Sequence, residues 1–218
     1  ADMTDANPGD GVCDTSASGG VCTLRAAIQE ANAFNDGGGD VINVPAGTYT
    51  LTIAGSDDTA AAGDLDITDA LTINGTTGNR ADVIIQAGTL GPNDDSVGGG
   101  NGIDRVFDVP DFGDAMRTVS VNISDVTVQH GKTTGNGGGI NYDTLGLLTL
   151  NRVTVTDNSS GLFGGGVFVR RGNMNIDLSE ISNNRSASDG GGIDSALSGA
   201  SVVNISNSSI SGNVAQGD

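Results

Sequence analysis

Three glycines followed by an aliphatic residue occur three times, in GNGGGINY (135–142), FGGGVFV (163–169) and DGGGIDS (189–195). Gly137, Gly164 and Gly190 lead these triplets at spacings of 27 and 26 residues, and the runs between them stay in register. Ile123, Leu150, Ile176 and Ile205 recur at 27, 26 and 29 residues, and Val128, Val155, Ile181 and Ile210 keep the same spacings. Each period holds short alternating runs and no helical pattern. One such repeat cannot bury its own apolar face, so each must stack on the next. The spacing therefore predicts an all-β fold, a β-solenoid in which each period forms one coil.

In that frame the glycines are corners. Gly138, Gly165 and Gly191, the central members of the triplets, stand where the backbone turns and a Cβ would clash, and Ile140, Val167 and Ile193 then start strands that point into the core. A phosphate-cradling loop would instead lead into a helix, with a Lys or Ser/Thr at a fixed offset. Asn158, Asn184 and Asn213 form a second column, with Gly131 at the equivalent place in the preceding repeat. Asparagines stacked at a turn can hydrogen-bond from coil to coil and tolerate left-handed backbone. His130 aligns with Asp157, Asn183 and Gly212, a position that asks for a turn residue and not for an imidazole.

The one convincing helix lies in CTLRAAIQEANAFNDGGG. Thr23 is its N-cap, Leu24, Ile28 and Ala31 form its apolar stripe, and Asn35 with Gly37 to Gly39 ends it. Just before it, Cys13 and Cys22 are expected to form a disulfide, with reduced or modified thiols as the alternative; two cysteines are too few for a metal site. A disulfide implies an oxidising, extracytoplasmic setting. The expected organisation is a disulfide loop and capping helix over 1–40, followed by one continuous parallel β-helix over 41–218, clearest in 118–218. A net charge of −18 opposes binding to nucleic acid or anionic membranes, and no apolar run approaches membrane-spanning length. No basic-then-apolar leader is present, as expected of a mature exported chain whose signal has been removed.

The stretch CTLRAAIQEAN resembles the motif of CSLREA-domain proteins at Cys22, Leu24, Arg25, Ile28, Ala31 and Asn32, with DGVCD before it and DVINVPAGTYTLT after it also similar. The GGGI repeats resemble those of right-handed parallel β-helices and polymorphic outer-membrane-type surface proteins. These likenesses cover about residues 9–53 and 105–218; residues 54–104 match loosely. The family's Ser-x-x-Glu capping box is broken here, because Thr23 is followed three residues later by Ala26. The resemblance implies an exported, helix-capped, right-handed β-helix and supplies no catalytic residue.

Site chemistry is sparse. Asp57/Asp58 and Asp94/Asp95 sit in Gly- and Ala-rich loops with no accompanying Arg or Lys, and read as surface charge. In GDLDITD, Asp64 and Asp66 are expected to share the outer strand face while Leu65 and Ile67 point inward. With Asp69 nearby, these carboxylates form a candidate Ca²⁺ site; no cofactor is otherwise required. The sequons at Asn74, Asn122, Asn158, Asn184, Asn204 and Asn207 would matter only in a glycosylating host. The chain reaches SGNVAQGD where another glycine corner is due, so the last coil is expected to be uncapped, open to end-to-end self-association into filaments or to further coils. These features point to an extracellular or cell-surface structural or adhesive β-helix that meets surface glycans, other proteins or itself. The alternative is a pectate-lyase-like enzyme acting on polysaccharide, which would need convergent carboxylates or an Arg beside a Ca²⁺ site.

Overall fold

The computed structural model describes residues 1–16, 19–34, 39–89, 102–195 and 201–217. The sequence-predicted helix terminators Asn35, Gly37 and Gly38, and the Asp94/Asp95 pair, lie outside the described residues.

The chain is a parallel β-solenoid. One wall is built from Asp40–Val44, Leu71–Gly75 and Val121–Ser124, then the long strands Ile140–Asn151 and Val167–Asp177, and finally Val203–Ser206. A second wall stacks Gly47–Thr50, Val83–Gln86, Thr127–Gln129, Thr154–Thr156, Glu180–Ser182 and Ser209–Ser211. A third is a narrow ribbon of Lys132–Thr133, Ser159–Ser160, Arg185–Ser186 and Val214–Ala215. The first parts of the two long strands carry a further column, Leu65–Asp66, Phe107–Val109, 140–142, 167–169 and Ile193–Ser195. All of these pairings are parallel, so each strand bonds only to the coil above and the coil below.

The register is the one the repeat spacing predicts. Ile123 pairs with Leu150, Leu150 with Ile176, and Ile176 with Ile205. The same ladder continues through Ile73 to Ile42, where the coil-to-coil separation lengthens to 50 and then 31 residues. Alternation places Leu71 and Ile73 inside and Thr72 and Asn74 towards solvent, which is what a period of two demands of a half-buried strand.

Two reasons for glycine meet at each triplet. Gly137 and Gly164 adopt left-handed backbone, both at φ +63°, which only glycine enters without strain. Gly138 sits so close to the next coil that an added Cβ would meet the Gly165 carbonyl oxygen at 2.5 Å. The asparagine column fills the same corner. Asn158 Oδ1 accepts from Gly131 N at 2.8 Å, Asn184 Oδ1 from Asn158 N at 3.0 Å, and Asn213 Oδ1 from Asn184 N at 2.9 Å. The left-handed position is not held by these asparagines, as expected from their turn propensity, but by the residue before each. His130, Asp157, Asn183 and Gly212 have φ of 59°, 55°, 55° and 66°. The asparagine side chain instead turns inward to bond backbone, which leaves the bend to its predecessor.

The helix, Leu24–Ala33, covers the edge of the first coil. Thr23 caps it by accepting from Ala26 N at 3.1 Å, and Leu24, Ile28 and Ala31 are buried against the core. Its polar residues complete the edge. Arg25, 1% exposed, donates to the carbonyls of Ala60, Gly63 and Asp64 and pairs with Asp2 at 2.7 Å. Asn32 donates to Asp66 O and accepts from Thr68 N, both at 2.8 Å. Between Ala60 and Thr68, backbone groups at the edge of the first coil are thus satisfied by side chains rather than by another strand. Cys13 and Cys22 form a disulfide ahead of the helix. Among the described residues no helix is long and apolar enough to cross a membrane.

Candidate functional site

The paired strands Leu65–Asp66 and Phe107–Val109 of the first two coils build the one grouping of three potential metal-ligating side chains among the described residues, Asp64, Asp66 and Asp108. Leu65 and Ile67 are fully buried, as the alternation of GDLDITD predicts. Asp64 and Asp66 do not lie on an open outer face, however; they are 2% and 0% exposed. The chain between Ile53 and Gly63 folds back over them, closed by Gly63 N to Ile53 O at 2.8 Å and pinned from below by Arg25. Ala60 N donates to Asp66 Oδ2 at 2.7 Å. Asp57 shapes that cover: its Oδ1 accepts from Thr59 N, Thr59 Oγ1 and Ala61 N, and these bonds help hold its carboxyl below the usual range although partial burial works the other way. Asp57 is therefore half-buried and structural rather than plain surface charge, whereas Asp58 is exposed.

Asp69 does not join the group. Its carboxylate accepts from the adjacent Ala70 N at 2.7 Å, past the point where the strand has turned away. The third member is Asp108, which pairs in register with Asp66 one coil on. The ligand oxygens of Asp64, Asp66 and Asp108 lie within 4.8 Å of one another. Arg105 bridges two of them, Nη1 donating to Asp64 Oδ2 at 3.0 Å and to Asp108 Oδ2 at 2.7 Å. Its Nε and Nη2 reach Asn136 O at 3.3 Å and Thr133 Oγ1 at 3.4 Å on the following coil. Asn141, next in the column, donates to Asp108 Oδ1 at 2.7 Å. One oxygen is left over: Asp66 Oδ1 is buried and has no hydrogen-bond partner.

Burial dominates the electrostatics. It pushes Asp64 up to about 9, with the neighbouring Asp66 and Asp108 adding to the effect and Arg105 opposing it. It pushes Asp66 up to about 8 against the Ala60 hydrogen bond, with Asp108, Asp57 and Asp58 reinforcing it. Asp108 is raised for the same reason, with Arg105 and Asn141 opposing. Burial works against the charge on Arg105, but Asp108, Asp64 and Asp104 outweigh it and raise its pKa. Three carboxylates thus stand around one guanidinium that bonds only Asp64 and Asp108, and full ionisation would leave two negative charges uncompensated in a closed site.

The covering segment also lines an open groove of about 720 Å³, where Asp58 and Thr59 face Asn32, Phe112 and Arg117. Arg117 lies 4.6 Å over the Phe112 ring and donates to Thr68 O. His130, buried at its left-handed turn, has Nδ1 3.4 Å from Gly88 O and belongs to neither feature. Asn158 and Asn184, two of the sequon asparagines, are fully buried and occupied by the ladder.

Sequence reasoning missed Arg105 and Asp108. Arg105 reaches Asp64 across 41 residues, a separation far from the period of about 27, so the alignment of repeats passes over it. A signal did exist. LDI (65–67), FDV (107–109), INY (140–142) and IDS (193–195) each place Asp or Asn directly after a core residue in one stacked column, which VFV (167–169) interrupts with Phe168. Comparison of the chain with protein-family models, curated proteins and solved structures finds no match.

Proposed function

We propose that the chain is a structural β-solenoid of an exported surface protein, a rigid spacer covered by its helix on one edge and presenting an apolar face on the other. One observation carries this. Ile123, Leu150 and Ile176 are at most 1% exposed, yet Ile205 in the same ladder is 46% exposed; Val128, Val155 and Ile181 are fully buried, yet Ile210 is 46% exposed. The strands of 203–215 thus present an apolar face in line with the buried ladders, which another coil of the same repeat would complement. The disulfide and the resemblance to CSLREA-domain proteins support an extracellular setting for it.

Such a coil can come from the same polypeptide or from a second copy. Because the helix, through Arg25 and Asn32, covers part of the opposite edge, a second copy is expected to meet this edge with its own 203–215 face. Pairs are then favoured over the head-to-tail filaments that the sequence suggests. Sedimentation and negative-stain microscopy across concentration test the reading, with Ile205→Asn/Ile210→Asn as the variant. Concentration-dependent paired rods that the variant abolishes would assign the edge to a second copy. Single rods that bind a hydrophobic dye at this edge would assign it to further coils. Single rods that bind no dye and protect the 203–215 amides from exchange would overturn the reading, and filaments would overturn the capping role of the helix.

The enzymatic alternative gains a constellation in Asp64, Asp66, Asp108 and Arg105. The side chains of Asp64, Asp108 and Arg105 are only 3%, 11% and 17% exposed, so the cluster as folded is closed to a glycan chain. We place this reading second for that reason.

A further inference from the structure

We propose that Asp64, Asp66 and Asp108 form a binding site for one hard divalent cation of the Ca²⁺ class, which clamps the helix-covered coil to the next. The three carboxylates come from two coils and the lateral register brings them together, with Asp66 and Asp108 directly paired. Two features beyond acidity point to a ligand. Asp66, a member of the group and 0% exposed, has its Oδ1 buried without a hydrogen-bond partner. A buried acceptor left unsatisfied is destabilising by about 1–3 kcal/mol, more when charged, so native structures rarely leave one. The second feature is the charge balance: with Arg105 as the sole counter-ion, the two excess negative charges match one divalent ion.

The donors are all carboxylate oxygens, with no His or Cys among them, which selects a hard cation over zinc or copper. Asp108 and Arg105 form the more accessible rim. Binding requires the Asp64 and Asp108 carboxylates to rotate off Nη1 of Arg105, because the planar guanidinium is held at Nε and Nη2 by Asn136 and Thr133. The competing way to satisfy the site is protonation, favoured first by burial and then by the neighbouring carboxylates. The two alternatives have opposite experimental signatures.

The test is calcium titration of the chelator-treated full chain near neutral pH, read by calorimetry, by competition with terbium luminescence and by thermal melting. Binding of about one equivalent is expected, with a rise in melting temperature of roughly 5–10 °C at a hundredfold excess over Kd. Asp108→Asn should weaken binding at least tenfold, while Asp69→Asn, outside the group, should leave it unchanged. Folded wild-type protein that takes up neither terbium nor calcium and melts at the same temperature with and without chelator would overturn the proposal, whatever the variants do. Undiminished binding by a folded Asp108→Asn would overturn it as well, by placing the ion elsewhere.

Discussion

Replacing Asn158 by alanine tests how far the asparagine ladder holds the coils together. Asn158 is fully buried; it accepts from Gly131 N at 2.8 Å and donates to Thr156 O at 2.9 Å, to Asn184 Oδ1 at 2.9 Å and to Val128 O at 3.2 Å. Truncation leaves the buried Gly131 amide unpaired, at about 1–3 kcal/mol, and removes two or more further bonds worth roughly 0.5–1.5 kcal/mol each. The expected loss is about 3–5 kcal/mol, a large part of the roughly 5–15 kcal/mol that stabilises a domain. At about 2–4 °C per kcal/mol for a chain of this size, the melting temperature should fall by about 6–20 °C, measured by far-UV circular dichroism. Asn213 makes the equivalent bonds to Asn184 and Ile181 but is partly exposed, so water can replace it and Asn213→Ala should lose only about 1 kcal/mol. A loss for Asn158→Ala no larger than that for Asn213→Ala would refute the reasoning.

The other consequences are as specific. Gly138→Val drives a side chain into the Gly165 carbonyl and should abolish soluble, cooperatively melting protein. Gly78→Ala, left-handed at φ +72° but with open space around it, should cost only about 1–2 kcal/mol. Arg25→Met removes the buried guanidinium from three carbonyls and leaves Asp2 only the Thr52 and Ile53 amides, so a loss of about 3–5 kcal/mol in urea unfolding is expected, with the first coil exchanging its amides fastest. In chelator, stability should decline as pH rises from the ordinary carboxyl value of 3.8 towards about 9, because folded Asp64 and Asp66 keep protons that the unfolded chain releases. His130, which burial holds below its usual value, acts in the opposite sense near pH 6.5, so a net rise in melting temperature between pH 7 and pH 9 would contradict the raised carboxyls.

The second half of the chain was legible because its coils differ by only two or three residues, so Ile123, Leu150, Ile176 and Ile205 align by inspection. The same ladders extend to Ile42 and Tyr49, but there the coils are stretched, with Gln86 bonded to Thr50 across 36 residues and to Gln129 across 43. Periodicity detects equal spacing, whereas stacking requires only equal faces, so insertions at corners conceal the register without disturbing it. The helix was visible in its cap and stripe, yet the work of Arg25 and Asn32 was not, since a side chain that satisfies a distant edge leaves no periodic trace. The acidic site was half visible for a related reason. Alternation shows that Asp64 and Asp66 face away from Leu65, but not that residues 54–63 return to bury them or that Arg105 arrives from the next coil.

The strictly nearest-neighbour pairing of the coils has a mechanical consequence. Every ladder bond spans one coil step, so strain introduced at one level is shared with two neighbours and then fades, and stability behaves as a sum over interfaces rather than as a property of one centre. Lesions in different coils should therefore act independently, and force along the axis should release the stack in steps whose sizes report the polar ladders crossed at each level.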